Sequence, residues 1–135
     1  MKTLAFILLT LFSSVSMAEI AVIVHPSNAS NLDDSSITRI FLGKAKSFPD
    51  GSQAIAVNQS EGSAATNYFN ENLVGKSASQ LKAYWSKLVF TGKGTPPQEV
   101  ASDAEVIELV SKNPSLIGYV DAASVDGSVK AIITF

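Results

Sequence analysis

The chain offers few residues that can carry covalent chemistry, and its one histidine shows why. His25 stands directly before Pro26, no serine with a nucleophile signature lies beside it, and there is no cysteine to replace one. It reads as a loop histidine. Asp33-Asp34 lacks the alternating ligand spacing of a calcium loop and stands ahead of an apolar-periodic run, where carboxylates cap helices. No metal ligand set, cofactor motif or catalytic residue is read from the sequence. Without a general base paired to a nucleophile or a metal, a non-enzymatic protein is expected. Lys44 and Lys46 are solvated lysines near a helix end, and Lys93, between Gly92 and Gly94, is a solvated loop tip. Tyr84 and Trp85 have rings that stack on flat ligands, but they share a helical stripe with Leu81 and Leu88, which assigns them to the core.

The richest segment is Asn58-Gln59-Ser60-Glu61-Gly62-Ser63-Ala64-Ala65-Thr66. Here an apolar strand candidate runs into a glycine-serine turn that opens a helix. Main-chain amides at a helix start, backed by the positive end of the helix dipole, hold an oxyanion without lysine or arginine. Ser63 has two readings, anion donor or plain N-cap, and its spacing fits both. The candidate anion-binding set is Gln59, Gly62, Ser63, Ala64 and Thr66.

The elements that must position this turn follow from periodicity. Ile20 to Val24 is a β-branched apolar run ended by His25-Pro26, which suits a strand covered on both faces. Ile37, Ile40 and Phe41 repeat at helical spacing up to Gly43. Gln53 to Val57 reads as a second strand, followed by a helix with Ala65, Tyr68, Phe69 and Leu73 on one face. Ser77 to Gln80 has capping-box spacing ahead of the stripe Leu81, Tyr84, Trp85, Leu88 and Val89. Phe90 to Pro97 is a turn-rich loop, and Ser102 to Glu105 is a second capping box that leads a helix stopped at Asn113-Pro114. Leu116 to Val120 and Ser128 to Phe135 read as closing strands. Strands alternating with helices predict an α/β layer arrangement with a mixed, mostly parallel sheet flanked by helices.

Export sets the context. Met1-Lys2-Thr3, the apolar stretch Leu4 to Phe12 and Ser16-Met17-Ala18, with small side chains at Ser16 and Ala18, form a signal-peptide pattern with cleavage expected after Ala18. The apolar stretch is far short of the roughly 20 residues that span a bilayer, so no stable membrane insertion is expected. Of the 135 residues, 19–135 remain as one expected domain. The formal net charge of the whole chain is −2, and the leader carries Lys2 and no acid, so the exported part is slightly more acidic still. Neither sign clusters, which excludes nucleic acid and anionic lipid as partners, since both demand a basic stripe. A periplasmic location is expected.

Four landmarks in order, Ile40-Phe41-Leu42-Gly43-Lys44, Asp50-Gly51, Glu61-Gly62-Ser63 with Phe69 behind it, and Ile117-Gly118-Tyr119-Val120, resemble the phosphate-binding proteins of ABC transporters. Tyr84-Trp85, Phe90 to Gly94 and Pro96-Pro97 are similar to a short branch of that family. The resemblance implies a single lobe of a type II periplasmic binding protein, where full members close two lobes on phosphate. It implies phosphate or a similar oxyanion as ligand at Gly62-Ser63, with Gln59 where phosphate-binding members carry an arginine, Ala64 in place of a glycine and Ala65 in place of a threonine. The alternative it leaves open is an interaction or structural protein of the cell envelope, paired with another envelope protein or a second copy of itself.

Overall fold

The computed structural model describes residues 19–135; the leader predicted at Met1–Ala18 lies outside the described residues. β1 (Ile20–Val24) is apolar at every position and buried at every position. Its alternate residues feed two separate cores: Ile20, Val22 and Val24 face one side of the sheet, Ala21 and Ile23 the other. α1 (Asp34–Phe41) starts at Asp33, whose carboxylate accepts from the Ser36 amide at 2.8 Å, and it buries Ile37, Ile40 and Phe41.

β2 (Ile55–Gln59) begins and ends two residues later than the hydrophobic pattern predicts. The reason is a short strand the pattern does not reveal. β3 (Gln98–Val100) emerges directly after Pro96-Pro97 and pairs in parallel with the end of β2, Asn58 opposite Glu99 and Gln59 opposite Val100. Asn58 and Gln59 are therefore strand residues, and the loop shrinks to Ser60–Ser63.

α2 (Ala64–Phe69) passes without a break into a π-helical turn, Asn70–Val74, which Gly75 ends at φ +73°. α3 (Ala78–Phe90) opens with a complete capping box: Ser77 Oγ accepts from the Gln80 amide, and Gln80 Oε1 accepts from the Ser77 amide. α4 (Asp103–Lys112) is capped by Ser102, but Glu105 reaches back to the amide of Ala101 rather than that of Ser102. β4 (Leu116–Asp121), a single 3-10 turn (Ala122–Ser124) and β5 (Lys130–Thr134) complete the order.

The five strands form one sheet in the order β3-β2-β4-β1-β5. β2 is parallel to both β3 and β4, while β1 is antiparallel to β4 and β5, so β1 alone runs against the other four. This is the α/β, mostly parallel arrangement that the order of elements predicts. α1 and α2 cover one face of the sheet, where Phe41, Phe69 and Tyr119 pack ring against ring. α4 covers the other through Val106 and Val110. It lies so close that a Cβ added at Gly118 would come within 2.5 Å of Val106 Cγ1.

The stripe on α3 is not core. None of its thirteen residues is buried. Tyr84 and Trp85 fasten the helix at one edge only: the Tyr84 hydroxyl donates to the Leu42 carbonyl at 2.6 Å, and the Trp85 ring lies against Gly43. Gly43 must be glycine twice over, for its φ of +70° and because a Cβ there would sit 3.1 Å from the indole. The apolar spacing on α3 is helical, as expected, but it faces a groove instead of the sheet.

Candidate functional site at the head of the second helix

The end of β2, the Ser60–Ser63 turn and the start of α2 gather Gly62, Ser63, Ala64 and Thr66 at one helix start, while the Gln59 side chain points to the other face of the sheet. Gly62 takes φ +84° and turns the chain sharply, with open space where a Cβ would stand. Ser63 is the N-cap: its Oγ accepts from the Thr66 amide at 3.1 Å and donates to Thr66 Oγ1 at 2.7 Å. Thr66 passes its own proton inward to the Ser60 carbonyl at 3.0 Å. Both hydroxyls offered as anion donors are thus engaged inside the turn.

Gln59 is turned away from the helix start. It is 4% exposed, on the α4 side of the sheet like Val57, and its Nε2 donates to Asp103 Oδ1 at 2.6 Å and to the Tyr119 carbonyl at 2.9 Å. Asp103 Oδ2 accepts in turn from the Asp121 amide and from Ser124 Oγ, so this network ties β2, β4 and α4 together. Tyr119 lies under the same corner. Its hydroxyl accepts from the Gln59 amide and donates to Asn58 Oδ1 at 2.9 Å, with Thr66 Oγ1 at 3.1 Å. Burial pushes the phenol above its ordinary pKa, against the hydrogen bonds from Thr66 and Gln59, which pull it down.

What stays open at the turn is main chain. The amides of Ala64 and Ala65, the first two positions of α2, make no hydrogen bond among the described residues. Neither arginine nor lysine stands in the turn. Glu61 does, and it lines the same groove as Gly62.

That groove, of about 560 Å³, runs between α2 and α3. Leu81, Trp85 and Val89 of α3 form one wall, Phe41 and Val74 the other, and Pro96-Pro97 close an end. Its floor is polar at half-buried Asn58 and buried Asn70, and exposed Asn67 lies at its rim. The sequence reading singled out the segment that holds Asn58 but not Asn70. The signal was present: Asn70 continues the buried positions Thr66 and Phe69 at helical spacing, a polar residue on an apolar face. Among the described residues there is no cluster of potential metal ligands and no helix long and apolar enough to cross a membrane.

A single mostly parallel sheet with one reversed strand, helices on both faces and a glycine turn heading a helix is the architecture of one lobe of a type II periplasmic binding protein, and solved structures share it. The chain is similar to phosphate ABC transporter substrate-binding proteins. A protein from Clostridium perfringens assigned to that class and solved with phosphate bound is 26% identical, with a TM-score of 0.67 over 85% of this chain and 45% of the other. An ABC-type phosphate transport receptor from Vibrio cholerae is 25% identical, with a TM-score of 0.63 over 85% of this chain and 46% of that one. PstS from Borrelia burgdorferi, 19% identical with a TM-score of 0.55 over 78% of this chain and 42% of its own, shares the fold. The chain therefore spans less than half the length of the structures it matches. The first two are described as a transporter substrate-binding protein and a transport receptor. No protein-family model and no curated protein matches the chain.

Proposed function

We propose that the protein is an exported, non-enzymatic solute-binding module of the periplasm, built like one lobe of the phosphate-binding proteins, that holds phosphate or a similar oxyanion weakly at the head of α2. One observation carries this reading: the Gly62 turn presents the free amides of Ala64 and Ala65 at a helix start. The likeness to a chain solved with phosphate bound supports the choice of anion. Backbone donors and the helix dipole then do the holding. Binding is weak because no cationic fork stands at the turn and the Glu61 carboxylate beside it repels an anion.

Calorimetric titration of residues 19–135 with phosphate and sulfate tests the reading. Saturable heat at millimolar ligand is expected, shrinking as salt is raised. Ala64→Pro is the decisive variant. Proline is tolerated at the first helical position and removes only the amide there, and Ser63, at φ −67° and ψ 151°, already has the backbone that precedes a proline. The variant should fold and lose roughly tenfold in phosphate affinity, the worth of one charge-assisted hydrogen bond. Glu61→Gln should tighten binding a few-fold at low salt. Absence of saturable heat in the parent, or an Ala64→Pro protein that binds as well, would overturn the reading.

A second reading, an envelope interaction protein without a ligand, draws on a different observation. Val89 and Phe90 at the end of α3 are 54% and 92% exposed. If this end meets a second copy, sedimentation should show a concentration-dependent dimer that Phe90→Ser abolishes; a monomer at all concentrations counts against self-association.

A further inference from the structure

We propose that the groove between α2 and α3 is a binding site for an uncharged small organic molecule with an amide-type edge, a lactam or carboxamide, on an otherwise apolar body. The site is separate in chemistry from the oxyanion reading and does not depend on it.

Asn70 is the starting point. It is 9% exposed, it lines the groove, and its carboxamide makes no hydrogen bond among the described residues. The amide atoms are not sealed from solvent, since the buried side-chain atoms without a partner among the described residues are Asn28 Nδ2 and Ser30 Oγ; they open onto the groove, free to bond what enters it. Nothing in packing demands an amide there, since Phe69 before it and Val74 after it are apolar. Asn70 is also the first residue of the π-helical turn, and such local widenings of a helix recur at functional sites.

A carboxamide sets one donor and one acceptor side by side, so its natural complement is another amide edge, which pairs N–H to O and O to H–N at once. Asn58 adds to the floor. Its Oδ1 is taken by the Tyr119 hydroxyl, whereas its Nδ2 has no partner among the described residues. Above this floor Leu81, Trp85 and Val89 offer apolar surface for the body of the ligand. A volume of about 560 Å³ falls within the range of small-molecule pockets.

Charge narrows the class. The ionisable groups on the groove are Glu61, Glu99 and Lys82, two carboxylates against one ammonium, so a second anion is disfavoured in the body of the groove. An amide edge satisfies Asn70 without bringing a charge.

Trp85 is the only tryptophan and it lines the groove, so its emission reports occupancy directly. The probe is ε-caprolactam, an apolar ring with one lactam edge, and its control is N-methylcaprolactam, which lacks the N–H. Caprolactam should change Trp85 emission saturably in the millimolar range and shift the Asn70 side-chain amide resonances, with N-methylcaprolactam about tenfold weaker or more. Asn70→Leu should erase the difference between the two lactams while leaving phosphate binding unchanged. Failure of Ala64→Pro to affect phosphate would leave these outcomes untouched, so the two readings fail separately. No saturable change with caprolactam, equal binding of both lactams, or unaltered discrimination in Asn70→Leu would each overturn the proposal. The comparison of the two lactams needs no variant and holds even if Asn70→Leu does not fold.

Discussion

Tyr119 shows how far the candidate turn is supported from beneath. Its ring stacks on Phe69 with centroids 4.0 Å apart, and its hydroxyl joins the backbone of Gln59, the side chain of Asn58 and Thr66. Tyr119→Phe keeps the stack and removes the hydroxyl, leaving the buried Gln59 amide without its acceptor, a loss of about 1–3 kcal/mol measurable in urea at neutral pH. The raised pKa of Tyr119 fixes a pH dependence as well. The unfolded phenol ionises near its ordinary value of 10.0 while the buried one stays neutral, so the folded state binds more protons above that pH. Stability from this group is complete below the unfolded pKa and drains away as pH rises through the higher folded one. The gap between parent and Tyr119→Phe should therefore narrow above about pH 10, and a gap that stays constant would contradict the burial argument. At this scale the sequence singled out Gln59, Gly62, Ser63, Ala64 and Thr66 as one candidate set, and the Gln59 side chain turns instead to Asp103 and the Tyr119 carbonyl. The sequence left undecided what each side chain does, because that depends on Tyr119, Asp103 and Ser60, partners up to 60 positions away in the chain. Ser63 illustrates the point: capping and anion donation demand the same spacing, and only the observed bond to Thr66 separates them.

Among the elements, those that bury an apolar face were legible and those defined by pairing were not. β1, α1 and α4 lie where periodicity and capping residues put them, since hydrophobic spacing and N-cap oxygens are local properties. β3 escaped notice because three residues carry no period of their own, and its pairing pulled β2 two residues along. α3 was recognised as a helix but misplaced as core; spacing defines an apolar face and is silent on what lies opposite it. The contact between α4 and the sheet gives the sharpest test of packing at this scale. Gly118→Ala drives a methyl into Val106 and should cost about 1–3 kcal/mol through overpacking. Val106→Ala in the same chain makes room for that methyl, so the double variant should be clearly more stable than the sum of the two single losses. Additive losses in urea unfolding would show that α4 simply shifts outward and that the close approach at Gly118 is not what sets its position.

For the molecule as a whole, the order of strands and helices was enough to predict the layer architecture, because parallel strands joined through helices allow few arrangements. What that order cannot convey is how unevenly the layers are filled. Two cores occupy the two faces of one sheet, and they draw on every element except α3. α3 is held by the Tyr84–Leu42 hydrogen bond, by Trp85 on Gly43 and by its own capping box, with a groove beneath it in place of a core. An element with little buried apolar surface opens at lower free energy than the body it is attached to. Unfolding of residues 19–135 should accordingly show two probes out of step. Trp85 emission should begin to change at lower urea than the far-ultraviolet signal of the sheet, and amides of α3 should exchange faster than those of β1 and β4. Caprolactam, if it fills the groove, braces α3 against α2 and should bring the two transitions together by mass action on the closed form. Phosphate, proposed to rest on main-chain amides at the head of α2 rather than against α3, should leave the separation unchanged. Coincident transitions in the ligand-free protein would mean that α3 is as firmly held as the sheet, and the groove beneath it too rigid to respond to what enters it.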